Sequence, residues 1–140
     1  MLKQTCVIAV LCLCVFSGCA LSSESDAQPR VLDVHIHDRN HIVPDHLYAA
    51  VGEEIRWHNL LSVPVHLGFL GVKPIKEVGC GKGFTTWYGG IKDMVMIPAG
   101  EYVSVCFTRT GTVRYNIWTD LGDPLHSISP TAVIHLEAAA

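Results

Sequence analysis

Val51-Gly52-Glu53-Glu54-Ile55-Arg56-Trp57-His58-Asn59 is the stretch that decides the fold. Gly52-Glu53 reads as a turn. Behind it Ile55 and Trp57 alternate with Arg56 and His58, a period of two that marks a half-buried strand. Trp57 on the apolar side predicts a large inward filler, burying on the order of 200 Å². Asn59, at the end of the run, predicts a side chain that holds the following loop by bonding its backbone.

The same grammar continues in both directions. Upstream, Leu32, Val34 and Ile36 alternate with Asp33, His35 and His37. Asn40 and Pro44 then break the chain before a short strand from Leu47 to Val51. Downstream, Asn59 to Ser62 interrupts the pattern, and Val63, Val65, Leu67 and Phe69 read as one inward face. Either Met94 and Met96 or Val95 and Ile97 point inward on the strand before Pro98-Ala99-Gly100, which makes the two methionines core or edge residues. Tyr102 to Thr108, the Val113-Tyr115-Ile117 alternation after Gly111, and Thr131 to Leu136 complete the set. Residues 79–90 and 121–130 read as loops. No stretch carries a sustained helical period with capping signals. About eight short strands with regular turns predict an all-β Greek-key sandwich over residues 31–138.

The order of these pieces resembles the cupredoxins. The matching residues are Val34-His35-Ile36, Pro44-Asp45-His46-Leu47, the Val51-to-Asn59 stretch, Ile97-Pro98-Ala99-Gly100-Glu101, Phe107 to Tyr115 and Ala132-Val133-Ile134-His135-Leu136. The resemblance implies a plastocyanin- or azurin-type sandwich and, by family default, copper electron transfer. A blue-copper centre needs two histidines, a cysteine thiolate and a weak axial methionine. The family's thiolate position falls on Ile117, and no cysteine follows Cys106. Its first histidine position falls on Val65, with His66 one residue on and therefore expected on the opposite face. His126 lies where the second histidine would stand, and no methionine follows it. The expectation is a cupredoxin-like scaffold that does not keep the blue-copper ligands.

Other residues offer chemistry of their own. His35 and His37 share one strand face and, with His41 or His46 and an acid such as Asp33 or Asp38, form a candidate site for copper or another divalent ion. The competing reading is the wet half of an amphipathic strand. His66 and His126 form a second, thiolate-free candidate pair. Cys80 and Cys106 are expected to form a disulfide worth roughly 3 kcal/mol, with a Cys/His metal site as the rival. Phe84, Trp87 and Tyr88 on the glycine-rich loop are candidates either for docking a partner or for covering the open end of the sandwich. No nucleophile motif, HExxH sequence or recognisable carboxylate pair is present, so no enzyme is expected.

The chain begins differently. Lys3 is the only charge before Glu24, and Cys6 to Phe16 is an unbroken apolar run of eleven residues. A helix crossing a bilayer needs roughly 20, so the run reads as a secretory signal over residues 1–18. Phe16-Ser17-Gly18-Cys19 resembles the lipobox of bacterial lipoproteins, with Cys19 the lipid-bearing residue. Ordinary cleavage near Ala20 is the alternative. Several acyl chains anchor stably where one does not. Ala20, rather than Asp, leans by resemblance towards the periplasmic face of the outer membrane. Residues 19–30 read as a flexible tether.

The 140-residue chain is 49% hydrophobic with a net charge of −3 and a mean hydropathy of +0.32. Loss of Lys3 with the signal leaves 9 basic against 13 acidic residues, which excludes a broad nucleic-acid-binding face. The sequence thus predicts a membrane-anchored envelope binding module. Its expected partners are lipid and an envelope protein, and its alternative is metal binding through histidines.

Overall fold

Two five-stranded mixed sheets pack face to face in the computed structural model, which describes residues 29–71, 78–84 and 93–140. Residues 1–28, where the signal, Cys19 and most of the tether are expected, lie outside the described residues, as do Trp87 and Tyr88. Arg30, expected as the last residue of the tether, is tied to the domain by an ion pair to Glu53 at 2.9 Å.

The described strands are β1 (Val31–Asp38), β2 (His41–Val43), β3 (His46–Ala50), β4 (Glu54–Asn59), β5 (Val65–Leu70), β6 (Val78–Lys82), β7 (Met94–Ile97), β8 (Tyr102–Phe107), β9 (Gly111–Trp118) and β10 (Ala132–Glu137). Sheet A runs β2-β1-β4-β8-β6, and sheet B runs β3-β10-β9-β5-β7. In each, one parallel pair sits among antiparallel neighbours: β1 with β4, and β10 with β3. This is the all-β sandwich expected, with ten described strands rather than about eight.

Two of the differences are instructive. Residues 78–82, assigned mostly to a loop by sequence, form the edge strand β6, because pairing with β8 supplies what glycine-rich composition does not. The 121–130 loop contains a single helical turn, α1 (Pro124–Ser127), closed by Ser127 N–H donating to the Asp123 carbonyl at 3.1 Å.

Alternation decides which side chains meet. Ile55 and Trp57 on β4 face Val65, Leu67 and Phe69 on β5 and Val113, Tyr115 and Ile117 on β9, and all are buried. Trp57 sits at the centre, edge-on to Tyr115 (5.6 Å between centroids), Phe69 (5.9 Å) and Phe84 (6.1 Å). Each such pair adds about 0.5–1.5 kcal/mol beyond area burial. Val63 departs from its expected place: it precedes β5 and is exposed. On β7 it is Val95 and Ile97 that point in, and the methionines point out.

Cys80 and Cys106 form the expected disulfide, with Cα atoms 5.0 Å apart. They are paired neighbours on β6 and β8, so the bridge fastens an edge strand to its own sheet.

Candidate functional site

Asn59 organises one end of the sandwich. It is fully buried, and its amide donates to the carbonyls of Val63 (2.8 Å), Ile97 (3.0 Å) and Pro98 (3.2 Å). Its side-chain oxygen accepts the Leu61 N–H at 3.0 Å. One residue thereby holds the loop after β4, as the sequence predicted, and the turn after β7 as well. The neighbouring loop is held by Ser129: Ile117 N–H donates to its hydroxyl, and its own N–H donates to the Ile117 carbonyl, both at 2.8 Å. His126 stands on α1 with its ring against Asp123 (2.8 Å), while its carbonyl accepts from Arg39. The loops around this end expose Leu60, Val63, Leu121 and Leu125, the last at 85%.

The outer face of sheet A carries a different set. The parallel register places His35 beside His58, and β8 adds Tyr102 beyond it. His37 and His41 stack at 4.8 Å across the β1–β2 hairpin, His35 and His58 stack at 5.2 Å, and His35 and His37 lie 6.3 Å apart. Four imidazoles thus form one row over three strands. Asp33 bonds His58 Nε2 at 2.7 Å; with the proton on Nε2, the lone pair of Nδ1 stays available. Charge flanks the row: Lys82 Nζ sits 3.5 Å from the Tyr102 ring centroid, and Arg56 pairs with Glu54 at 2.9 Å. The Arg56 guanidinium, hydrogen-bonded to Glu54, holds that carboxyl below its ordinary range.

No family model matches the chain, and no curated protein matches it. Solved structures do. An oxidised Met-to-Leu variant of amicyanin is 18% identical, covers 76% of this chain and 81% of its own, and superposes with a TM-score of 0.50. The fold is cupredoxin-like. A purple cupredoxin from Nitrosopumilus maritimus is also similar, at 15% identity, 76% and 99% coverage and a TM-score of 0.47.

The residues of this cupredoxin-like chain do not fit a blue-copper centre. Ile117 and Val65, at the places expected for thiolate and first histidine, are fully buried hydrocarbon side chains. His66 lies on the outer face of β5, as the one-residue offset predicted, across from Met96 and Trp118. Its Nδ1 is shielded from solvent, whereas the side chain of His126 is 83% exposed and paired with Asp123. Among the described residues no three His, Cys, Asp or Glu side chains converge on a point that would hold a metal ion.

Two further sequence expectations are changed. Phe84 is not a docking residue. It is fully buried, stacked on Phe69 at 5.4 Å and edge-on to Trp57. Gly83 makes this possible: its φ of +90° turns the chain inward, and a Cβ there would lie 2.6 Å from Val103. His46, considered as a companion of His35 and His37, sits on sheet B instead, stacked with His135 at 5.9 Å. His58 was missed as a member of the row, because a parallel register between distant strands leaves no local signal.

Proposed function

We propose that the chain is a non-enzymatic binding module of the bacterial cell envelope, held at the membrane through Cys19 and built on a cupredoxin-like scaffold without a blue-copper centre. Ile117 and Val65 carry this reading. A hydrocarbon cannot replace a thiolate or an imidazole, and both positions are sealed in the core. The loop end, where a metal site would otherwise be built, offers Leu60, Val63, Leu121 and Leu125 to solvent, and exposed apolar surface of this kind suits a protein partner. The test is to load the purified full-length protein with Cu(II). The expected spectrum lacks the intense thiolate-to-copper band in the visible, and its appearance overturns the reading. For the anchor, C19A is expected to move the protein from the membrane to the soluble fraction. Retention in the membrane removes the lipid assignment.

The row of imidazoles favours a second reading, in which the bound species is a divalent transition-metal ion. His35 and His37, with His41 and His58 at either end, provide borderline nitrogen donors suited to Cu(II), Zn(II) or Ni(II). Stacked rings must rotate to turn their lone pairs to one ion. Calorimetry with Cu(II) on the wild type and on the His35→Ala/His37→Ala variant is expected to show binding that the variant loses. Equal weak binding by both removes this site.

A further inference from the structure

The outer face of sheet B gathers donors of a softer kind. Apart from Met1, the sequence's only methionines are Met94 and Met96. Two apart on β7, they share one face, and both are exposed, at 39% and 52%. Antiparallel pairing sets Met96 opposite His66 and Met94 opposite Gly68. On the other side of β5, Trp118 lies opposite His66. Directly opposed residues have Cβ atoms about 4.5–5.5 Å apart, so these side chains are immediate neighbours.

Gly68 lets them converge. A Cβ at that position would lie 2.8 Å from Trp118 Cζ3 and 3.3 Å from the Met94 terminal methyl. The indole edge and the thioether therefore both lean into the space that the absent side chain leaves. His66 Nδ1 adds an independent observation. It is shielded from solvent and has no hydrogen-bond partner among the described residues. A shielded polar atom without a partner is destabilising, and such groups call for an explanation.

We propose that His66, Met94 and Met96 form a binding site for Cu(I), with the Trp118 ring beside it as an apolar cover. Thioethers are soft ligands that select Cu(I) over harder ions, and one imidazole with two thioethers is a sufficient donor set for a low-coordinate monovalent ion. The indole adds cation–π attraction and excludes water. The Nδ1 lone pair gains the partner it lacks. The site uses soft donors on sheet B, shares no residue with the row on sheet A and does not depend on it.

The test uses the full-length protein with its free thiols alkylated, labelled with ¹³C at the methionine methyls. One equivalent of Cu(I), added anaerobically, is expected to shift the methyl signals of both Met94 and Met96; Ag(I), a redox-inert probe, is expected to do the same. M94L, M96L and H66Q are each expected to weaken binding at least about tenfold, since even loss of a supporting partner costs roughly 10–100-fold. The leucine variants keep an apolar side chain at exposed positions, so their thermal melts should match the wild type. H35A/H37A is expected to bind Cu(I) like the wild type. Unmoved Met94 and Met96 signals overturn the proposal. So does unchanged affinity in M94L/M96L, or binding lost only in H35A/H37A.

Discussion

The two edge strands that follow one another in the chain, β6 and β7, are fastened in opposite ways. β7 is held by alternation: Val95 and Ile97 enter the core, while Met94 and Met96 face out. From Gly79 to Lys82, β6 offers no comparable inward face. Gly79, Cys80, Gly81 and Lys82 are all exposed. It is secured by the Cys80–Cys106 bridge and by Phe84, which follows it into the core after Gly83. An edge can be kept in place by its own side chains, or by a staple and an anchor beyond its end. The second arrangement needs few β-forming residues in the strand itself: after Val78, β6 reads Gly79-Cys80-Gly81-Lys82, which is why composition alone reads it as a loop.

The sharpest way to break this comparison is to remove the anchor on each side. F84A is expected to cost about 3–5 kcal/mol, and I97A about 2–5 kcal/mol, the ranges for emptying well-packed core positions. Urea unfolding checks both. A loss below about 1 kcal/mol for F84A would mean that Phe84 lies at the surface, and the account of β6 would fail. The staple comes next. C80A/C106A is expected to cost roughly 3 kcal/mol. Amide exchange should rise in β6 while β7 keeps its protection. Equal loosening of both edges would show that the bridge stabilises the whole sandwich rather than one edge.

The two kinds of fastening also answer differently to pH. A disulfide does not titrate. The packed core does, through Tyr115, whose pKa burial pushes from 10.0 to about 12. The Trp57 indole N–H lies near enough to oppose this shift but makes no aligned hydrogen bond among the described residues. With its folded value raised, Tyr115 supports the fold fully below pH 10, and that support is lost as pH rises through about 12. The expected loss is about 2–3 kcal/mol at 1.36 kcal/mol per unit. Denaturation followed by phenolate absorbance checks it, and Y115F should remove the alkaline limb. The acid limb has the opposite sign and is small. Glu54, hydrogen-bonded to Arg56, and Glu53, where the Arg30 and Ala50 bonds outweigh the cost of burial, have lowered pKa values. Their support exists above the ordinary carboxylate pKa and is lost as pH falls through the lowered values. Half-exposed ion pairs contribute little.

Much of the sandwich was legible because it is written in local alternation. Ile55 and Trp57, Val65 and Leu67, and Val113 to Ile117 each announce their inward face, and Asn59 announces its role by position. The Cys80–Cys106 pairing followed from the cysteines left beyond the N-terminal region. The candidate sites were less legible. His58 joins His35 only through a parallel pairing of β1 with β4, and His66 meets Met96 and Trp118 only through two antiparallel registers. Registers between strands distant in sequence arise from packing the whole sandwich, so no window of residues contains them. Phe84 was left open between docking and covering for a related reason: its direction depends on the positive φ of Gly83.

The smallest expected effect separates the two edges at the level of a single methyl group. Gly81 on β6 and Gly68 beside β7 are both strand glycines, and neither has a left-handed φ. A Cβ at Gly81 would meet only the Ser104 carbonyl at 3.4 Å and Phe84 Cβ at 3.9 Å, which are ordinary contacts. G81A is therefore expected to be neutral or to stabilise by about 0.4–1 kcal/mol, because alanine reduces the freedom of the unfolded chain. At Gly68 the same methyl collides with Trp118 at 2.8 Å, so the indole must move. G68A is expected to cost about 1–3 kcal/mol, as overpacking does, and to change Trp118 fluorescence, with W118F as the control for that signal. If G68A were as mild as G81A, the indole would not be seated over β5. The crowding of Trp118, His66 and the two methionines would then be looser than the strand registers require.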